Sequence, residues 1–198
     1  MSTATKIAIF ASGSGSNAEN LARFFKDHPT ISVSLILSDK ASAYVLERAR
    51  NLDVPHAVFT RAEFTQETVS NPVAAFLAEE GIDLVVLAGF LGKIPQVLIR
   101  QFPARIINIH PSLLPKYGGK GMYGSHVHKA VIAAGESESG ITIHLVNEIY
   151  DDGRVLYQAS CSVSPGDTPD DLAKKIHALE HQHFPKVVAQ YIDEEAKP

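Results

Sequence analysis

An asparagine and a histidine stand two positions apart at the end of an apolar run, in the segment Asn108-Ile109-His110-Pro111-Ser112. The preceding residues Arg105-Ile106-Ile107 predict a strand, and residues i and i+2 of a strand point to the same face. An amide offers N–H donors that stay neutral at any pH, and an imidazole offers a donor that titrates near neutrality. Acyl transfer needs donors for a developing oxyanion and a group that moves a proton, so this pair predicts that chemistry.

A pair of acids follows much later in the chain, in Asp151-Asp152-Gly153. Such a triplet is typical of a turn. One of the two carboxylates can instead face His110 and raise the pKa of its imidazole by charge proximity. Both interpretations stay open at this point.

A glycine-containing turn follows the first apolar run, in Gly13-Ser14-Gly15-Ser16-Asn17-Ala18. Glycines let the backbone approach an anion closely, and a helix beginning near Asn17 would present N–H groups and the positive end of its dipole. The turn therefore predicts phosphate binding, although a plain strand-to-helix turn has the same pattern. It also fits G-x-G-x-x-A with Asp39 after the second strand, so a dinucleotide remains an alternative.

The elements that must position these residues alternate as strand and helix. We predict an α/β fold, a three-layer, Rossmann-like, mostly parallel twisted sheet with helices on both faces. The strands are expected at residues 6–11, 31–37, 57–59, 82–88, 105–109, 140–146 and 155–163, and the helices at 17–27, 44–51, 66–80, 94–101, 126–134 and from Thr168-Pro169 onward.

Three details of this prediction can be checked individually. Gly81 is expected to stop the helix at 66–80. Strand 140–146 alternates polar and apolar residues, as a strand near a sheet edge does. Pro185 is expected to kink the last helix or divide it in two, and the charged tail, residues 193–198, is expected to fray. We expect one domain, residues 1–198, with a phosphate-binding half at about 1–100 and a catalytic half at about 101–198.

The composition of the chain excludes several classes of function. The chain has 198 residues, 45% of them hydrophobic and 20% charged, with a net charge of −4. An acidic chain argues against nucleic-acid binding, and no apolar stretch reaches the ~20 residues of a membrane span. The single cysteine, Cys161, fits a reducing cytoplasm. His126 and His128, taken with His110 and His144, lack the spacing of a metal motif, so no metal is expected. The expected partners are small molecules, and either a monomer or a homodimer is possible.

Four segments together closely resemble the glycinamide ribonucleotide formyltransferase family, which uses 10-formyltetrahydrofolate. These are Gly15-Ser16-Asn17, Leu87-Ala88-Gly89-Phe90, Asn108-Ile109-His110-Pro111-Ser112-Leu113-Leu114-Pro115 and Asp151-Asp152-Gly153. The third segment is highly specific for enzymes that use this folate, and the first, with Glu180-His181-x-x-Phe184-Pro185, narrows the resemblance to this family. The resemblance covers roughly residues 6–191.

The resemblance implies a role for each matching residue. The catalytic trio would be Asn108, His110 and Asp151, with protonated His110 and Asn108 stabilising the oxyanion and Asp151 raising the pKa of His110. The substrate, glycinamide ribonucleotide, would be held at its phosphate by Gly15, Ser16 and Asn17, and at its ribose by His177 and Glu180. The folate would contact Arg61, Leu91, Gly92, Lys93, Ile94, Asn108, Asn147, Glu148, Ile149, Tyr150 and Asp151.

Three features depart from the family pattern. Members often carry Met-Arg-Ile-Leu where this chain has Leu91-Gly92-Lys93-Ile94, so an arginine contact to the folate is missing. The loop at 117–124 is longer than the commonest form, and its glycines suggest a mobile lid over the site. Asp152 adds a charge where a small residue is more usual.

Other functions remain as alternatives. A methionyl-tRNA formyltransferase is expected to carry a further C-terminal domain, and a formyltetrahydrofolate deformylase a further N-terminal one; the chain ends at residue 198 and its first strand starts at Lys6. A distant alternative is an NAD(P)-dependent oxidoreductase, which would explain the turn at 13–18 but leaves Asn108 and His110 without a role. A non-catalytic nucleotide-binding module is the last alternative.

Overall fold

Strands and helices alternate along residues 4–195, the part of the chain that this computed structural model describes. The strands are β1 Thr5–Phe10, β2 Ile31–Ser38, β3 His56–Val58, β4 Leu84–Leu87, β5 Ile106–His110, β6 Glu138–Leu145 and β7 Val155–Ser162. The helices are α1 Ser16–Phe25, α2 Val45–Asn51, α3 Arg61–Phe64, α4 Pro72–Glu79, α5 Gln96–Gln101, α6 Ser125–Ala133 and α7 Pro169–Glu195.

The strands form one seven-stranded sheet in the order β3-β2-β1-β4-β5-β6-β7. Strand β1 runs parallel to both β2 and β4, and β2 runs parallel to β3. Strands β6 and β7 pair antiparallel, as expected for a hairpin. The predicted α/β class with a mostly parallel, Rossmann-like sheet is thereby confirmed.

The chain divides into two compact units, Met1–Ile107 and Asn108–Pro198. In the first, the apolar run of β1 is fully buried from Ile7 to Phe10, because a central parallel strand has both faces covered. Helix α1 buries Ala18, Leu21 and Phe25, which recur at the three- and four-residue spacing of one helical face. Helix α1 therefore begins right after the glycine turn and packs its apolar side inward.

The helix predicted at 66–80 is wrong in its first half. Residues 66–71 are not helical; the short helix α3 precedes them, α4 follows them, and each helix has its own N-cap. Thr60 and Glu63 form a capping box that starts α3, and the Asn71 side chain accepts the Ala74 N–H to start α4. The Asn71 amide also donates to the carbonyls of Phe64 and Gln66, which closes the turn between the two helices. Gly81, with φ 65°, follows the end of α4 as expected.

The last helix runs from Pro169 to Glu195 with Pro185 inside it, so of the expected kink or division, the division into two helices does not occur. It begins as predicted, since the Asp171 carboxylate accepts from the Thr168 N–H and hydroxyl while the Thr168 hydroxyl accepts the Asp171 N–H. Residues 193–195 of the tail are helical rather than frayed, and residues 196–198 lie outside the described residues.

Strand β6 lies next to the edge strand β7, which confirms the expected position near a sheet edge, but β6 itself is almost fully covered. Strand β6 is buried at seven of its eight positions, polar Ser139, Thr142 and His144 included. The alternating exposure of an edge strand is found in β7. Within residues 4–195, no helix combines the length and the apolarity needed to cross a bilayer.

Gly15 provides a direct test of the glycine turn. Its φ is +75°, and a Cβ at this position would lie 2.4 Å from Val45 Cγ2 and 2.8 Å from Val45 Cα, on the first turn of α2. Gly15→Ala should lower the free energy of unfolding by about 2 kcal/mol, since the backbone strain and the collision act together. Gly13→Ala is the matched control, because a Cβ there meets nothing within 4 Å. Urea unfolding of both variants measures the difference, and equal stabilities would contradict this account.

Candidate active site

His110 is the last residue of β5 and is 4% exposed. Its Nε2 lies 2.8 Å from the carbonyl oxygen of Tyr117. A carbonyl only accepts, so Nε2 carries a proton and donates it to that oxygen. The other ring nitrogen, Nδ1, faces the Asp151 carboxylate at 3.6 Å, which is longer than a hydrogen bond. Nδ1 is therefore the nitrogen that can exchange a proton with a ligand.

Asp151 stands in the turn before β7 and holds the loop at 117–124 as well as facing the histidine. Its Oδ2 accepts the Gly119 N–H at 2.8 Å. Both Asp151 and Tyr117 have φ 55°, a left-handed conformation that non-glycine residues seldom adopt. Two strained residues thus contact opposite nitrogens of the same imidazole, and strained backbone of this kind concentrates at functional sites.

His144 is a site residue that the sequence analysis considered only as a metal ligand. It lies on β6, 2% exposed, with Nδ1 2.8 Å from the carbonyl of Leu145 and Nε2 3.0 Å from the Asn108 amide nitrogen. Nδ1 donates to this carbonyl, and one N–H of Asn108 is directed at Nε2. The second N–H of Asn108 stays available for a ligand. The signal in the sequence was Thr142 and His144, two polar residues on one face of a buried strand.

The pKa of His110 is lower than that of an ordinary histidine. Burial, which disfavours the imidazolium, is the largest cause, and the nearby His144 acts in the same direction. Asp151 and the Tyr117 carbonyl both raise the pKa of His110, as expected for a negative charge and an acceptor, but they do not outweigh burial. The expected net rise in the pKa of His110 is therefore not found, although Asp151 acts on this pKa in the expected direction.

Asp151 itself is held in its charged form. Burial alone would raise the pKa of this carboxyl, yet His144, His110 and the Gly119 N–H together keep the pKa below its ordinary value. Oδ1 lies 3.7 Å from His144 Nε2, so the carboxylate faces both imidazoles. Asp152, the neighbouring acid, is exposed to solvent.

Further contacts fix the loop that carries the Tyr117 carbonyl. The Tyr117 hydroxyl donates to Glu136 Oε1 at 3.0 Å, and Lys116 Nζ binds the same carboxylate at 3.1 Å. Upstream, the Thr142 hydroxyl donates to the Ser112 carbonyl and accepts the Leu114 N–H. The segment after β5 is thereby tied to β6 and to the end of α6, which keeps the acceptor for His110 in place.

The glycine turn of the first unit is built from β1, α1 and α2. Gly15, in the left-handed conformation, precedes α1, and the first intrahelical bond runs from the Glu19 N–H to the Gly15 carbonyl. The N–H groups of Ser16 and Asn17 come before that bond, at the positive end of the helix dipole. This arrangement is suited to an anion such as a phosphate.

The remaining predicted residues lie in both units. In the first, Arg61 opens α3 and is exposed, and residues 91–94 form the segment before α5, with Leu91 40% exposed and Ile94 5% exposed. A Cβ at Gly92 would lie 2.7 Å from Cε1 of the Phe90 ring. A larger residue at position 92, such as the arginine of the family pattern, would require this ring to move.

In the second unit, residues 147–150 are exposed and lead directly into Asp151. Glu180 lies on α7 and is 7% exposed, which is unusual for a carboxylate, whereas His177 on the same helix is exposed. His128 on α6 is 4% exposed, and burial together with His177 lowers the pKa of His128. Among the described residues, no group of three histidine, cysteine or acidic side chains has the geometry of a metal site.

Comparison with known proteins gives one consistent result. A model of the formyl transferase family matches residues 5–188. The chain is 42% identical over 195 residues to the chloroplastic phosphoribosylglycinamide formyltransferase of Arabidopsis thaliana, covering 97% of this chain and 67% of that protein. It is 41% identical to the Vigna unguiculata protein of the same name, of which it spans 61%.

Solved structures agree with these relatives. The crystal structure of phosphoribosylglycinamide formyltransferase from Bacillus halodurans matches with a TM-score of 0.85 and 35% identity, over 95% of both chains.

The electrostatics of His110 lead to a measurable prediction. Asp151→Asn removes the charge that raises the pKa of His110, so this pKa, already lower than that of an ordinary histidine, should fall further. NMR titration of the histidine ring protons measures it directly. Asp152→Asn, which removes an exposed charge from the next residue, is the control and should shift the value far less. An unchanged or higher pKa in Asp151→Asn would show that the carboxylate does not act on the imidazole.

Proposed function

Since the chain belongs to the formyl transferase family, we propose that it transfers the formyl group of 10-formyltetrahydrofolate to the amine of glycinamide ribonucleotide. The products are formylglycinamide ribonucleotide and tetrahydrofolate, in a step of purine biosynthesis. The observation that carries this proposal is the geometry around His110 and Asn108. One N–H of each side chain is held by a hydrogen bond, which leaves the second N–H of Asn108 and Nδ1 of His110 for a ligand. Two such donors suit the oxyanion of acyl transfer.

The substrate amine attacks the formyl carbon and gives a tetrahedral intermediate with a negatively charged oxygen. The second N–H of Asn108 and the Nδ1–H of protonated His110 donate to that oxygen. Asp151 stays charged, as the lowered pKa of its carboxyl implies, and favours the imidazolium once negative charge develops nearby.

Collapse of the intermediate breaks the bond between the formyl carbon and the folate nitrogen. That nitrogen gains one proton and the attacking amine loses one, so the transfer is balanced. Nδ1 of His110 delivers a proton to the folate nitrogen and accepts one from the amine. The lowered pKa of His110 makes its imidazolium a readier proton donor. A water bound to Asp151 can complete the relay.

Binding of the two substrates follows the family pattern. Gly15, Ser16 and Asn17 bind the phosphate of glycinamide ribonucleotide, because the α1 N-terminus presents its N–H groups there. Glu180 accepts hydrogen bonds from the ribose, and His177 lies beside it on the same helix. The folate-binding residues are Arg61, Leu91, Gly92, Lys93, Ile94 and the segment 147–151. We place the enzyme in the cytoplasm, where its single cysteine stays reduced.

Replacement of the two oxyanion donors tests the site. Loss of one such donor typically costs ~10²–10³ in rate, so Asn108→Ala and His110→Ala should each reduce kcat by that order with the fold retained. Steady-state kinetics measures the loss, and circular dichroism checks folding. Asn51→Ala and His28→Ala are matched controls outside the proposed site. If both site variants kept more than about a tenth of wild-type activity, the assignment would be wrong.

The activity itself is tested by incubating the protein with glycinamide ribonucleotide and 10-formyltetrahydrofolate. Formation of formylglycinamide ribonucleotide at the rate of folate turnover is the expected result. Hydrolysis of the folate without formylated product would indicate a deformylase, and formylation of methionyl-tRNA a different acceptor. Oxidation of NADH with no formyl transfer would support the oxidoreductase alternative.

A further inference from the structure

Two carbonyls of the glycine turn are held by α2. The Val45 N–H donates to the Gly13 carbonyl at 3.1 Å, and Arg48 Nε donates to the Ser14 carbonyl at 2.8 Å. In a trans peptide the C=O and the following N–H point in opposite directions. Fixing these two oxygens toward α2 therefore turns the N–H groups of Ser14 and Gly15 away from α2, and keeps the carbonyls from facing a bound anion.

Arg48 also neutralises a negative charge beside the same turn. Glu19 lies in the first turn of α1, where a carboxylate favours the helix but repels a phosphate bound at its N-terminus. The Arg48 guanidinium pairs with Glu19 Oε2, and Arg23 binds Glu19 Oε1 at 2.7 Å. The Arg48 side chain is 28% exposed and lies over the Tyr44 ring at 5.0 Å, whereas Arg23 is 66% exposed. Arg48 is thus the more buried of the two cations and the one that also binds the turn.

We propose that Arg48 is a positioning residue for the phosphate of the substrate. It sets the orientation of the turn through the Ser14 carbonyl and neutralises Glu19 beside the anion, without contacting the reacting atoms. The inference rests on the proposed function in that Gly15, Ser16 and Asn17 bind the phosphate. It adds a residue that sequence motifs did not indicate, because its guanidinium reaches the turn from another helix.

Kinetics of Arg48→Ala separates this role from a general loss of structure. The variant should raise the KM for glycinamide ribonucleotide about tenfold or more, as expected for the loss of a charge-assisted hydrogen bond, with kcat and the KM for the folate nearly unchanged. With glycinamide riboside, which lacks the phosphate, wild type and variant should have equal kcat/KM. A KM within about twofold of wild type, or an equal loss with the riboside, would overturn the proposal.

Three further variants sharpen the result. Arg23→Ala, which removes the other partner of Glu19 but no contact to the turn, should leave the KM near its wild-type value. Arg48→Lys keeps the charge but loses the guanidinium that binds the Ser14 carbonyl and Glu19 at once. Only part of the affinity for glycinamide ribonucleotide should therefore return. Full rescue by lysine would show that charge alone suffices and would overturn the positioning role. In Glu19→Gln the repulsion is absent, so removal of Arg48 should raise the KM by a smaller factor than in wild type.

Calorimetric binding of ribose 5-phosphate distinguishes failure of this inference from failure of the proposed function. Wild type should bind ribose 5-phosphate, and Arg48→Ala should bind it about tenfold more weakly. If formyl transfer to glycinamide ribonucleotide were absent while this difference persisted, the proposed function would fail and the role of Arg48 would stand. If both proteins bound ribose 5-phosphate equally well, or neither bound it, the role of Arg48 would be excluded whatever the activity.

Discussion

The charged carboxylate of Asp151 is the group on which the catalytic unit depends. It faces His110 and His144 and accepts a backbone N–H from Gly119, so a single side chain connects β5, β6 and the glycine-rich loop. This largely buried carboxylate is tolerated because Oδ2 accepts a backbone N–H and both oxygens face an imidazole. The same contacts that keep Asp151 ionised therefore also determine where the two imidazoles lie.

Most of the fold could be predicted from the sequence because its local signals agree with each other. The buried apolar runs of β1 and β4 could be recognised without long-range information, since a parallel strand covered on both faces needs an uninterrupted apolar stretch. Thr168 and Asp171 identified the start of α7 in the same local way, through a capping box. Asn108 and His110 could be placed on one face of β5 from their spacing alone.

Features that depend on tertiary contacts could not be predicted in this way. Asn71 caps α4 and donates to the carbonyls of Phe64 and Gln66, so the chain turns at residues 66–71, where a helix was expected. The hydrogen bond between Asn108 and His144 joins residues 36 positions apart, so no local sequence pattern indicates it. The direction of the His110 pKa shift depends on how burial compares with a nearby charge, and only the packed structure gives the extent of burial.

The hydrogen bond from His110 to the Tyr117 carbonyl has a consequence for protein engineering. The acceptor belongs to the main chain, so no replacement of a side chain deletes it, and an alanine scan would overlook the group that selects the tautomer. Its position depends instead on the left-handed backbone of Tyr117 and on the tether from its hydroxyl to Glu136. Redesign of this loop would therefore have to preserve a backbone conformation rather than any single functional group.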